Sequence, residues 1–158
     1  MLTNKAKYGL KALLYLASHT ERDSVLLVEI ADAQNIPRKF LHAILRELRN
    51  SGFVKSKKGP GGGYALAHGA LEARIGDIVR ELDGHLAPIA CASRNFYHPC
   101  TDCRDVATCR VRLSMLKVRD AIAEVLDTMT LRDMASLHPE PGTDLDLAIN
   151  GGPLVPAL

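Results

Sequence analysis

Four cysteines carry the most specific chemistry in this chain of 158 residues. Cys91, Cys100, Cys103 and Cys109 are spaced C-x8-C-x2-C-x5-C within one nineteen-residue window. Thiols crowded in this way hold a metal or undergo redox chemistry. Structural zinc usually takes two close pairs a dozen or more residues apart. Here a single tight pair sits on one short segment. Iron–sulfur clusters are held by thiolates, often several from one irregular stretch. The spacing therefore ranks an iron–sulfur cluster first, zinc second, and a thiol switch or inert thiols after them. Arg94, Arg104, Arg110 and Arg112 flank the thiols, which favours thiolate over thiol. The plain alternative is that these arginines pair with Asp102, Asp105 and Asp120.

A second group of residues is suited to a polyanion. Residues 38–50 place Leu41, Ile44, Leu45 and Leu48 on one helical face and Arg38, Lys39, His42, Arg46 and Arg49 on another. Pro37 precedes them, suited to a first helical turn. Then Lys57-Lys-Gly59-Pro-Gly61-Gly62-Gly63 forms a basic, glycine-rich loop between two short segments of strand character, 53–56 and 64–67. A P-loop would need its lysine after the glycines and a helix next, and neither holds. A hairpin turn without a ligand is the bland alternative for the loop, and a solvated surface is the bland alternative for the basic face.

These groups need elements to position them. Helical periodicity covers about 4–18, with Ala6, Leu10, Leu13, Leu14 and Ala17 in register and Thr3 or Asn4 as cap. Further helices are expected at 26–33, from Pro37 to about Asn50 with a stop at Ser51-Gly52, and at 75–82. Helix, short helix, basic helix and basic-tipped hairpin is the order of a winged helix-turn-helix, whose second paired helix enters the major groove. Glycine amides and Lys57 and Lys58 at the tip can approach phosphates. After an irregular stretch, 84–109, helical pattern returns over about 111–129. Val111, Met115, Val118, Ile122, Val125 and Met129 are spaced 4, 3, 4, 3, 4, a coiled-coil seam. Packing within its own domain is one way to cover that face. Pairing with a second copy covers it better and presents two recognition helices to a two-fold DNA site.

The expected organisation is a winged helix-turn-helix domain at 1–84, a cysteine loop at 85–110, a dimerisation helix at 111–134 and a flexible tail at 135–158. The fold class is mainly α, with a small β-hairpin wing. Composition agrees: 47% apolar and 24% charged residues are those of an ordinary globular domain. No apolar run approaches a membrane span, and no secretory leader is recognisable, so a cytoplasmic location is expected. The formal charge of +2 divides unevenly. Residues 1–60 carry eleven Lys/Arg against five Asp/Glu, and residues 61–158 carry nine against thirteen, giving +6 and −4. A basic front half points to double-stranded DNA as partner. Catalysis is not expected, because the histidines are scattered and neither a nucleophile–base set nor paired carboxylates stands out.

Three stretches then bear a specific resemblance: Lys7-Tyr-Gly-Leu-Lys-Ala-Leu-Leu-Tyr-Leu-Ala17, Ile36-Pro-Arg-Lys-Phe-Leu-His-Ala-Ile-Leu45 and Gly59-Pro-Gly-Gly-Gly-Tyr64. Over roughly residues 1–134 the chain resembles the Rrf2 family of bacterial transcription regulators. That resemblance implies a dimeric winged-helix repressor or activator. Its cluster-binding members hold a 2Fe–2S or 4Fe–4S cluster just before the dimerisation helix, and cluster assembly, loss or reaction changes DNA affinity. On these terms Cys91, Cys103 and Cys109 match the family's three ligands. Pro37, Arg38, Lys39 and His42 match the reading start of the recognition helix, and Lys58 stands where the wing offers Arg to the minor groove. The fourth ligand departs from the pattern. Positions where members carry His or Asp are Arg112 and Lys7 here, and Cys100 is additional. Cys100 is expected to complete the set or to substitute for Cys103, ahead of His98. Sensing by thiols, zinc or a small molecule without a cluster is the alternative.

Overall fold

The protein is described by a computed structural model over residues 2–59 and 61–138. Six helices and one hairpin follow in the order α1 (Asn4–Ala17), α2 (Leu27–Gln34), α3 (Arg38–Asn50), β1 (Val54–Lys57), β2 (Gly63–Leu66), α4 (Ile75–Asp83), α5 (Arg110–Thr128) and α6 (Leu131–Ala135). Short 3-10 turns at Ala70–Glu72 and Ala90–Ala92 complete the described structure. The tail expected at 135–158 lies outside the described residues beyond His138.

Helix α1 is central, which widens its buried surface beyond the expected stripe. Ala6, Leu10 and Leu13 are buried as the periodicity requires, and so are Gly9, Ala12 and Leu16. Leu14 and Ala17 are only half-buried. Thr3 caps the helix, its hydroxyl accepting from the amides of Lys5 and Ala6. In α3 the buried set is Leu41, Ile44, Leu45 and Leu48, the stripe anticipated from spacing. All four are fully enclosed. Each such side chain contributes about 1.5–3 kcal/mol relative to an exposed one. Between α2 and α3, Asn35 adopts the left-handed conformation (φ 51°), which ends α2 and turns the chain into Ile36-Pro37.

The wing is an antiparallel hairpin in the register Val54–Leu66, Lys55–Ala65, Ser56–Tyr64 and Lys57–Gly63. A third short segment joins it. Val25 and Tyr64 exchange backbone hydrogen bonds of 2.8 Å in both directions. Gly63 allows this approach, because a Cβ there would strike the Val25 carbonyl.

The helix expected over 111–134 is two elements. Helix α5 stops at Thr128, and a second bridge turns the chain back: Ile75 N donates to Met129 O and Leu131 N to Ala73 O, both at 2.9 Å. Thr130 and Asp133 form a capping box that starts α6. Leu131 then enters the winged core, fully buried, and Met129 packs against the same core. Met129 is thereby removed from the seam spaced along α5; it caps the helix and faces its own domain.

Helix α5 has no buried residue. At its C-terminal end it is held by Arg80 of α4, which makes two parallel hydrogen bonds of 2.7 Å to the Asp127 carboxylate. Gly76 leaves room for that carboxylate, since a Cβ would collide with it. The guanidinium of Arg80 holds the Asp127 carboxyl below its ordinary range, against a smaller effect of burial. The stabilisation is therefore complete above the usual aspartate range and is lost as pH falls through the lowered folded value. Asp127→Asn is expected to cost about 1 kcal/mol at neutral pH after allowance for solvent contact. Thermal unfolding followed across pH should show the gap between wild type and variant closing under strong acid. A constant gap would remove the ion pair from the account.

Candidate nucleic-acid interface and thiol centre

Helix α3 turns its basic residues to solvent. Arg38, Lys39, His42, Arg46 and Arg49 are all exposed, as are Pro37 before them and Lys57, Lys58, Gly59 and Gly61 on the wing, with Gly62 half-buried. The fold brings helix and wing together: His42, Arg49, Lys57 and Lys58 line one crevice of about 430 Å³. Two of the cations are ion-paired within the protein, and Arg49 donates to Asn50 Oδ1 at 3.2 Å. Arg38 pairs with Asp32 of α2 at 3.1 Å and Lys57 with Asp23 at 3.4 Å. Both pairs are solvent-exposed and weak, so a phosphate can displace the carboxylates. Leu26 and Val28 also line the crevice, with 51% and 43% of their surfaces exposed. Neither was singled out by spacing, because apolar residues at the start of a short helix read as core. Apolar side chains beside a basic groove suit thymine methyls and sugar edges.

The four cysteines converge, although they are spread over an irregular segment. Cys91 neighbours Cys100, Cys100 lies beside Cys103, and Cys103 lies beside Cys109. The last pair has a sulfur–sulfur distance of 4.0 Å. The series ends at the start of α5, where Cys109 is the N-cap residue, makes no side-chain capping hydrogen bond, and lies beside the free N–H groups of the first helical turn. Those N–H groups favour negative charge. Accordingly Cys109 is shifted below the ordinary thiol value, first by the Arg112 amide and also by the Cys103 thiol. Cys91 is shifted upward because its S–H donates to Cys100 and because it is buried. At Cys100 the bond from Cys91 acts downward, but donation to Cys103, burial and the Asp102 carboxylate prevail and raise it. At Cys103 the bond from Cys100 likewise acts downward and is outweighed by donation to Cys109 and burial.

The series is open. Among the described residues, the set of three or more ligand-type side chains whose donor atoms all lie within 4.8 Å of one another is Cys100, Asp102 and Cys103. Asp102 was not a candidate from spacing; its signal is the Asp lodged between two of the cysteines. Four thiolates around one zinc would all be neighbours at about 3.8 Å, given Zn–S bonds of about 2.3 Å. A multi-iron cluster shares its ligands among several irons, so its sulfurs need not all touch. His98 is exposed and stands apart from the thiol contacts.

The flanking arginines divide their roles. Arg112 donates through Nε to the Cys91 carbonyl at 2.9 Å, and Arg119 through Nη1 to the Ala92 carbonyl at 2.8 Å. Both tie the buried Cys91 turn to α5. Arg94 pairs with Asp120 at 3.1 Å, whereas Asp105 accepts from Ala107 N and Thr108 Oγ1.

Residues 2–136 match the family model Rrf2, described as an iron-dependent transcriptional regulator. The chain belongs to the Rrf2 family. It is 43% identical over 137 residues to an rrf2-like HTH-type regulator of Rhodobacter capsulatus, covering 85% of this chain and 91% of that protein. It is 30% identical over 155 residues to the HTH-type transcriptional regulator IscR of Vibrio atlanticus, covering 96% and 86% respectively. The solved structure of CymR, titled the global cysteine regulator of B. subtilis, superposes with a TM-score of 0.69 at 32% identity, covering 88% of this chain and 98% of that one. This Rrf2 protein is thus a winged-helix transcriptional regulator of a DNA-binding family and not an enzyme. No helix among the described residues is long and apolar enough to cross a membrane.

In this Rrf2 chain Arg119 has only 11% of its side chain exposed. Arg119→Ala is expected to destabilise the fold by about 1.5–3 kcal/mol, the worth of a charged hydrogen bond. Hydrogen exchange at the amides of Ala92 and Ser93 should accelerate in the variant. Unchanged exchange there would show that Arg119 does not anchor the cysteine turn.

Proposed function

We propose that the protein is a dimeric transcriptional regulator whose DNA affinity is set by an iron–sulfur cluster held by Cys91, Cys103, Cys109 and Cys100. The observation that carries this reading is the gathering of thiols at the N-cap of α5, with the Cys103 and Cys109 sulfurs 4.0 Å apart and Cys100 within 4.8 Å of Cys103. The 1–84 unit reads DNA, the 85–110 loop holds the cluster, and α5 joins two copies. A 2Fe–2S or 4Fe–4S cluster supplies redox and nitric-oxide reactivity when bound. Every other step belongs to the chain. Cys91 is anchored through its carbonyl to Arg112, and Cys109 begins α5 itself, so ligation at both would set the loop between them. Ordering that loop fixes how α5 leaves the winged domain. In a dimer, that angle sets the spacing of the two recognition helices on a two-fold operator. A difference of a few kcal/mol in DNA affinity between the two states is enough to switch occupancy.

Pro37, Arg38, Lys39, His42, Arg46 and Arg49 are the proposed readers on α3. Lys57, Lys58, Gly59, Gly61 and Gly62 are the proposed phosphate and minor-groove contacts of the wing. Val111, Met115, Val118, Ile122 and Val125 form the proposed dimer seam. Its support is exposure: Val111, Val118 and Val125 have 65%, 41% and 55% of their surfaces uncovered. Apolar exposure of this extent on one helix is the mark of an interface.

Anaerobic purification is expected to yield protein with iron and acid-labile sulfide, and with charge-transfer absorbance. Cys100→Ala should lose or alter those bands. Zinc without sulfide would overturn the cluster, and an unchanged spectrum in Cys100→Ala would remove that residue from the ligand set. Separately, Val118→Asp should sediment as a monomer and lose affinity for a two-fold promoter fragment by more than tenfold, since one reader then binds without its neighbour. A variant that remains dimeric would move the interface away from this face.

A further inference from the structure

The gathered thiols have a second chemistry that needs no metal. We propose that Cys103 and Cys109 are a disulfide couple, closed by hydroperoxides when the loop carries no metal. Their sulfurs lie 4.0 Å apart, against about 2.05 Å in a disulfide, so closure needs a movement of about 2 Å. The local structure supports that movement. Cys109 is the fixed member, because its backbone is the N-cap of α5 and its carbonyl accepts from Leu113 N at 3.0 Å. Cys103 is the member that travels, on a stretch without helix or strand. Between them Asp105 accepts from Ala107 N and Thr108 Oγ1, and this turn folds Cys103 back toward Cys109. Both thiols are partly open to solvent, whereas Cys91 is 3% exposed and shielded from an oxidant.

The reaction balances. One sulfur takes the terminal oxygen of the hydroperoxide as a sulfenic acid, breaking the O–O bond and releasing water or an alcohol. The second sulfur attacks the first, forming S–S and expelling water; the two sulfurs lose two electrons and the peroxide gains them. The pairing stands on the thiol geometry alone. Its consequence rests on the preceding reading: a disulfide consumes two of the thiolates proposed to hold a cluster, so oxidation and cluster loading exclude each other.

Trypsin resolves the alternatives, because cleavage after Arg80, Arg94, Arg104 and Arg110 puts Cys91 on peptide 81–94, Cys100 and Cys103 on 95–104, and Cys109 on 105–110. The full chain, reduced and stripped of metal, is treated with hydrogen peroxide, blocked with N-ethylmaleimide and digested without reduction. The free-thiol titre should fall from four to two, with peptide 95–104 joined to 105–110. Cys100→Ser should keep that link and Cys103→Ser should lose it. A main product joining 81–94 to 95–104, loss of the link in Cys100→Ser, or sulfinic acid without any link would overturn the couple. In the second arm, the oxidised protein should take up no iron and sulfide until reduced. Loading of the disulfide form would overturn only the exclusion, leaving the pairing intact.

Discussion

A helix with no buried side chain stays in place only if its ends are tied down, and α5 is tied by a few polar contacts together with Leu126 and Met129 packed on the winged core. Arg80 grips Asp127 at one end, the Ile75–Met129 backbone bond fixes the cap, and Arg112 and Arg119 reach the carbonyls of Cys91 and Ala92 toward the other. Such attachments are directional and local, unlike apolar burial, which is roughly proportional to area. The angle at which α5 leaves the winged domain is therefore set by a few contacts. One group of those contacts holds the turn that contains Cys91.

This arrangement puts the thiols at a point of leverage. Cys91 sits in the anchored turn, Cys109 is the cap of α5, and Cys100 and Cys103 bridge them along an irregular stretch. Whatever occupies or links the sulfurs acts on the start of the helix proposed to join two copies. The electrostatics run in the same direction. The thiol of Cys103 lies 4.0 Å from that of Cys109, which is shifted below its ordinary value where the helix N-terminus favours negative charge. The winged domain is built by the opposite principle. Its buried set of Leu, Ile and Val is apolar and continuous from α1 through α4 to Leu131, which makes a rigid platform for the basic face of α3.

Local physics explains why much of this was legible in the chain. The α3 stripe of Leu41, Ile44, Leu45 and Leu48 and its basic opposite face follow from helical period alone, and the burial matches. The wing strands agree to within one residue, because alternation and the glycine loop mark both ends. Other features depended on partners distant in sequence. Leu14 reads as core but is only half-buried, whereas Leu16 is enclosed, because α1 is packed on several sides. Met129 belongs to the seam by spacing, yet the Ala73–Leu131 and Ile75–Met129 bonds pull it onto its own domain. Asp32 and Asp23 draw Arg38 and Lys57 into ion pairs that periodicity does not register.

By itself the sequence determined the residue types of the site: four thiols within nineteen positions, a basic helix followed by a basic glycine loop, and an apolar seam on a late helix. Each is a short-range pattern, and short-range patterns survive whatever the rest of the chain does. Only the tertiary structure decided that the thiols gather at the N-cap of α5, that Arg112 binds the Cys91 carbonyl, and that the late helix turns back at Thr128. Those outcomes depend on contacts across tens of residues, where packing and backbone pairing choose among geometries that local propensity leaves equal.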